Sequence, residues 1–275
     1  FRAEGTIGIG SPRASNESNF ALRVMVGEEN FYAGYSDVEH ESMQVILDLA
    51  SDTAFHTPSV REIEAADAVL ILGEDVTNVA PRIALALRQS VRNKAKGLAD
   101  ESRIPQWQDA AVRELAQHER SPLSILSPAI SRLDDVASDR IIESLSAVVS
   151  MGHQIAGKIS ASAPNAAAST EHSELIEKIA MQLKAAKRPL IIAGNSNGSD
   201  MIKAAANIAR ALHDDSDKSA IDLCLLVPEV NSVGMALMAG AENRLGAALE
   251  KLQSGEAKRV IVLENDLYRR AAKAA

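Results

Sequence analysis

Four short aliphatic runs, Val69–Leu72, Leu190–Ala193, Leu223–Val227 and Val260–Leu263, each set beside helical periodicity, constrain this chain more than any other feature. "VLIL", bounded by Asp67 and Gly73, reads as a buried strand, and the helix expected after it carries Val79, Ile83 and Leu87 at four-residue spacing. "LIIA" repeats the theme. It is followed by "GNSNGS" and a helix with Ile202, Ala205, Ala209 and Leu212 on one stripe, for which Ser199 is a good N-cap. A helix over 171–186, burying Leu175, Ile179 and Leu183, precedes this run, and another from about Asn243 to Gln253 separates the last two. Strand, helix and strand at this spacing imply right-handed crossovers and parallel sheets covered by helices on both faces. Composition agrees: 46% of residues are hydrophobic but only 3% aromatic, so alanine and aliphatic side chains must pack the layers.

Two further helices announce their starts by capping-box spacing: Ser36 to Glu39, running to about Ala50, and Ser59 to Glu62 after Thr57-Pro58. The region 104–117 places Trp107, Ala111 and Leu115 on one stripe, so Trp107 is expected in a core, and "LSIL" at 123–126 suits a strand. "SASAPNAAAST", Ser160 to Thr170, has no apolar face and contains Pro164, and is expected to be a linker. The first residue is Phe1 and the chain stops abruptly at "RRAAKAA", as expected of a piece of a longer protein.

Ligands of open parallel sheets bind at the carboxyl ends of strands, where helix N-termini offer N–H groups to anions. Here the loops at those ends are acidic: "GEDVTN" with Glu74 and Asp75, "PEVNSVG" with Glu229, and "ENDLYRR" with Glu264 and Asp266. They read as solvated caps, and only "GNSNGS" is neutral and glycine-rich. There is no GxxxxGK[ST], no GxGxxG between a strand and a helix, and no GxSxG; Asp134-Asp135 and Asp214-Asp215 fall in polar turns. The single cysteine, Cys224, cannot make a disulfide within the chain or a thiolate set for zinc or iron–sulfur, and suits a buried strand position. The six histidines are scattered and read as surface or capping residues. A net charge of −8 argues against nucleic acid as a partner, and no apolar run approaches the roughly 18 residues of a spanning helix. No secretory leader is expected either.

The stretch "GSPRASNESNFALR", Gly10 to Arg23, looks like the front of an anion site, and it resembles the G-S-x-R-x-[ST]-N-E element of the molybdopterin oxidoreductase family, which includes formate dehydrogenases. "ADAVLILGEDVTNVAPRIALALR" is similar to that family's strand–loop–helix. "KRPLIIAGNSNGS", "EVNSVGMALMAG" and "VIVLENDLYRRA" follow in the family's order. The likeness spans essentially the whole chain and is greatest to the branch that serves in the peripheral arm of respiratory complex I. It implies an α/β fold of two layered domains, of the formate dehydrogenase/DMSO reductase domain II and III type. Residues 1–50 and 170–275 would share one sheet, with 51–165 inserted and the linker at 160–170 as the return point.

The family's cofactor frame would then fall on Gly10, Ser11, Arg13, Asn16 and Glu17, with Gly73, Glu74, Asp75, Gly194 and Asn195 around it. Three departures bear on whether that frame holds anything. The interval where the family carries its metal ligand is "FYAGYSDVEH", without cysteine, and its only chemically possible ligands, Ser36 and Asp37, are better explained by the capping box. The loop after "VLIL" is acidic, and no cysteine motif supplies electrons. The resemblance therefore implies a chain without catalytic residues, metal or cofactor. Arg13 would hold a structural carboxylate, and iron–sulfur clusters would lie in a region preceding Phe1. The implied partners are other peripheral-arm subunits, on the cytoplasmic side of the bacterial inner membrane and without membrane insertion. A live molybdenum or tungsten segment, with Ser36 or Asp37 on the metal and a pterin dinucleotide across the two domains, is the rival. A small-ligand module using "GNSNGS" is the third reading.

Overall fold

A computed structural model describes residues 4–164, 172–215 and 220–271. Its nine strands are β1 (Thr6–Ile9), β2 (Phe31–Tyr32), β3 (Phe55–His56), β4 (Ala68–Leu72), β5 (Leu123–Ser127), β6 (Asp139–Ile142), β7 (Pro189–Gly194), β8 (Ile221–Leu226) and β9 (Arg259–Val262). They form two all-parallel sheets, one of three strands in the order β2-β1-β9 and one of six in the order β3-β8-β7-β4-β5-β6. The chain divides accordingly into a discontinuous unit, Phe1–Ser51 with Val227–Ala275, and a continuous one, Asp52–Leu226.

This division corrects the expected one at its second crossing. Strands β7 and β8 hydrogen-bond to β4 and to each other, so residues 189–226 belong to the larger sheet and the chain returns to the first unit only at Val227. An alanine-rich sequence without an apolar pattern says nothing about which sheet the next strand joins; register with β4 decides that. Of the expected linker, 165–171 lies outside the described residues, and Ser160 ends the helix Leu145–Ile159.

In the larger unit β4, β5 and β7 are buried along their whole length, as strands covered on both faces must be. Val69, Ile71, Ile125, Leu190 and Ile192 face a core completed by Ile63 and Leu87 of helices Val60–Glu64 and Pro81–Ser90. Helices Leu145–Ile159 and Ser199–Asp214 cross on the opposite face: a Cβ on Gly152 would come within 3.1 Å of Ala204 Cβ and 3.5 Å of Leu72 Cδ1. Fully burying each such aliphatic side chain contributes about 1.5–3 kcal/mol, so this sheet is the main reservoir of stability. Cys224 is buried in β8, where burial first and the nearby Asp222 second push its thiol up to about 12.

In the smaller unit Ile7 and Ile9 of β1 pack with Tyr32, Leu245 and Ala248. Both expected capping boxes form. Ser36 accepts from Glu39 N while Glu39 Oε2 accepts from Ser36 N at 2.9 Å, and Ser59 and Glu62 do the same.

Three local expectations fail. Gly198 (φ +84°), not Ser199, holds the cap position of helix Ser199–Asp214, because only glycine takes that backbone turn at no steric cost. Trp107 precedes helix Asp109–Ala116 and is 81% exposed; the buried stripe there is Val112 and Ala116. His40 is buried, its Nε2 2.7 Å from the Ala241 carbonyl, so it is neither surface nor cap.

Candidate functional site

At the end of β1 the chain turns through Gly10–Ser15 into helix Asn16–Val26, which Ser15 caps by accepting from Ser18 N at 3.1 Å. The turn is held by a residue the motif reading passed over. Asn19 is fully buried; its Oδ1 accepts from Ser11 N at 2.9 Å and its Nδ2 donates to the carbonyls of Ser11 (2.8 Å) and Ser15 (3.0 Å). Ser11 Oγ donates to the Glu264 carbonyl at 2.9 Å, and Asn265 Nδ2 donates to the carbonyls of Gly10 and Gly34. A Cβ on Gly34 would collide with the Gly10 carbonyl, so the two backbones approach as only glycine allows. At Gly10 itself a Cβ would press on Asn19, Met235 and Phe31. Asn16 and Glu17 lie exposed at the helix start. There the Glu17 carboxyl is held below its usual range, by its first-turn backbone hydrogen bond and then by Ser15.

The expected partner of Arg13 exists, but Arg13 is not the buried guanidinium. Its Nε donates to Glu229 Oε1 at 2.9 Å while its side chain stays 64% exposed. The more enclosed one is Arg270, its side chain 12% exposed, which pairs with Glu229 and donates Nη1 to Glu39 at 3.2 Å. Burial lowers the Arg270 pKa, and the bonds to Glu229 and Glu39 more than offset this, leaving it raised. Glu229 is thus no solvated cap. Asp37 is also engaged: Oδ2 pairs with Arg244 Nη1 at 2.6 Å and Oδ1 accepts from Gly246 N at 2.9 Å, at the start of helix Leu245–Gln253. With Ser36 in its capping box, both candidate metal ligands are engaged in local hydrogen bonds and an ion pair. Among the described residues no cluster of three His, Cys, Asp or Glu could hold an ion.

In the larger unit the sheet order places a topological switch point between β4 and β7. From β4 the chain steps outward to β5 and β6, then restarts beside β4 at β7 and steps the other way to β8. In such sheets the crevice at the carboxyl ends of the two diverging strands is where a ligand binds. Here Gly73 (φ +70°), Glu74 and Asp75 follow β4, and Gly194, Asn195, Ser196 and Asn197 lie at the end of β7.

A side chain crosses this crevice. Glu74 is 4% exposed; its Oε1 accepts from Ser196 Oγ at 3.0 Å, and Asn197 Nδ2 donates to the Gly73 carbonyl. Its Oε2 is buried with no hydrogen-bond partner among the described residues, and it lies so close to Gly194 that a Cβ there would collide with it. Burial raises the Glu74 carboxyl above its usual range, opposed by Ser196 and the Asp75 N–H and abetted by the Asp75 charge. Asp75 caps the following short helix by accepting from Thr77 N at 3.1 Å, and Asn195 is buried beside Glu74's loop partners. The expectation of solvated acidic caps therefore fails at Glu74, whose buried side chain lies against Gly194 at the end of β7. It holds at Glu264 and Asp266, which are exposed.

An all-parallel α/β chain of two sheet-centred units, with loops closed by their own carboxylates and amides, is thus the class that fold and site define. No protein-family model matches it. The chain is 46% identical over 276 residues to the NADH-quinone oxidoreductase G subunit of Pseudomonas fluorescens, covering 100% of this chain and 30% of that protein. The corresponding G subunits of Shewanella oneidensis and Escherichia coli K12 are 45% and 42% identical, covering 98% of this chain and 30% of each relative. The chain belongs to the family of NADH-quinone oxidoreductase G subunits, and it spans about 30% of the length of these relatives. Among solved structures, the formyltransferase/hydrolase complex of Methylorubrum extorquens, with methylofuran bound, shares the fold. The TM-score is 0.56 at 14% identity, over 95% of this chain and 69% of that one. No helix among the described residues is long and apolar enough to cross a membrane.

Proposed function

We propose that this chain is a structural part of a NADH-quinone oxidoreductase, shaped like a cofactor-binding oxidoreductase but working without a cofactor of its own. In this reading it supports electron transfer from NADH to quinone, which passes through iron–sulfur clusters held by another part of the full-length protein. Its partners are the other subunits of the peripheral arm of respiratory complex I, on the cytoplasmic side of the bacterial inner membrane.

The observation that carries this reading is Glu74. A carboxylate buried across the switch-point crevice sets a negative charge where a diphosphate would have to lie, and like charges a few ångströms apart repel by several kcal/mol at partly buried sites. The engaged Ser36 and Asp37 speak the same way about a metal: the residues present do not fit a pterin-held molybdenum or tungsten ion. Elemental analysis and pterin extraction on the full-length protein, purified in its complex, test this. Molybdenum and tungsten far below one per chain are expected; stoichiometric metal with a released pterin would replace the reading with an active oxidoreductase segment.

A further inference from the structure

Away from both strand-end loops, the larger unit carries a hollow of about 380 Å³ between helices Pro81–Ser90, Asn93–Glu101 and Asp109–Ala116. Such a volume falls at the small end of ligand clefts, which run about 300–1,000 Å³. Its floor is apolar: Val91, Val112 and Ala116 are buried, and Ala95 and Val136 complete the lining. The floor is shaped by the turn after helix Asp109–Ala116, where Gln117 takes φ +50° and Ser121 N donates to the Val91 carbonyl at 2.9 Å.

The rim is cationic. Arg88, Arg92, Arg113 and Arg120 all line the hollow, against one lining carboxylate, Glu119. Arg88 forms a two-pronged pair with Asp135 at 2.9 and 2.8 Å, and Lys94 pairs with Glu119. Asp109 alone serves both Arg92 (2.9 Å) and Arg113 (2.8 Å), and Arg120 has no ion-pair partner among the described residues. Positive charge thus exceeds negative at this mouth, in a chain whose net charge is −8. An apolar floor offers a free inorganic anion nothing, and an arginine rim offers a neutral hydrocarbon nothing. The two together select a molecule that has both parts.

We propose that this hollow binds an amphiphilic monoanion of the medium-chain carboxylate class, its tail packed on Val91, Val112 and Ala116 and its head held by Arg120 and Arg113. The site is independent of the crevice at Glu74 and of whether any cofactor binds there. Isothermal titration of the purified protein at low ionic strength, with decanoate, acetate and decanol as probes, tests it. Saturable 1:1 binding of decanoate is expected, with acetate and decanol each at least about tenfold weaker.

Arg120→Glu, an exposed change, should weaken decanoate at least about tenfold and leave decanol unaltered, and Ala95→Phe should abolish binding by filling the hollow. Melting curves of both variants establish that they are folded. The proposal is overturned if decanoate does not saturate, if decanol binds as tightly as decanoate, or if folded Arg120→Glu binds decanoate as the parent does.

Discussion

Replacing Glu74 by glutamine isolates the term that the switch-point crevice adds to stability. The variant keeps the side chain's shape and an oxygen to accept from Ser196 Oγ, and removes only the charge. In the parent one carboxylate oxygen is buried without a donor, a cost of about 1–3 kcal/mol and more while ionised. The glutamine N–H₂ in its place still lacks an acceptor, which returns part of that gain, so a net stabilisation of about 1–2 kcal/mol is expected near pH 8. That corresponds to a rise in Tm of roughly 2–8 °C for a domain of this size.

The sign of the pH dependence follows from the direction of the shift. Burial raises the folded Glu74 carboxyl above its unfolded value of about 4.3. The favourable contribution of the protonated form is therefore complete below about pH 4.3 and is lost as pH rises through the raised folded value. The difference in Tm between Glu74→Gln and the parent should be largest at pH 8 and shrink toward pH 5, by differential scanning calorimetry. A glutamine variant no more stable than its parent at pH 8, or a gap that does not change with pH, would refute the burial argument.

The two arginines of the smaller unit should separate cleanly in urea unfolding. Arg270→Met strips Glu39 and half of Glu229's pairing from a half-buried site and should cost about 2–3 kcal/mol, whereas exposed Arg13→Gln should cost under about 1 kcal/mol. Equal costs would mean that Arg13 anchors the network after all. Asn19→Ala should cost about 2–4 kcal/mol, since it orphans the buried Ser11 N–H and the Ser11 carbonyl, and proteolysis should then cut first within Gly10–Ser15; an unchanged urea midpoint would count against it. Trp107, the sole tryptophan, should emit as in water and be fully quenched by iodide in the folded protein, while a blue-shifted, protected signal would restore it to a core.

Strands that carry an aliphatic run write themselves plainly into a sequence; hence β4, β5, β7, β8 and even the exposed β9 were legible, and the short or mixed β2, β3 and β6 were not. Both capping boxes were legible because their chemistry is local. Asn19 left a signal that went unused: it lies three and seven residues before Leu22 and Val26, a polar residue on the buried stripe of its helix. Helix Leu145–Ile159 left one too, in Val148, Met151, Ile155 and Ile159. Arg270 left none, for nothing in "LYRRA" tells which arginine turns inward toward carboxylates 41 and 231 positions away. Nor does an acidic loop disclose whether its carboxylate meets water or lies across the next strand. That depends on β7 sitting beside β4, a fact of sheet order.

The two strand-end loops meet the same physical demand in different ways, and the difference bears on what could still bind there. At β1 the exposed ends of the backbone are saturated by amides: Asn19, Asn265 and Asn231 between them satisfy Ser11 N and the carbonyls of Gly10, Ser11, Ala14, Ser15 and Gly34. Each such bond is worth about 0.5–1.5 kcal/mol net, so an anion entering that turn would have to break bonds it could not replace, because an anion donates nothing to carbonyls. At β4 and β7 the donors of a ligand cradle are still present, but the carboxylate of Glu74 has taken them. The first loop is closed by satisfied polar groups and gains nothing from opening. The second is closed by a charge that is incompletely satisfied, so there a single substitution, Glu74→Ala, would open a hole beside the Ser196 hydroxyl. If inorganic phosphate or acetate stabilised that variant and not the parent, the carboxylate would be acting as the ligand's replacement; if neither anion did, it would be a core side chain that happens to be acidic.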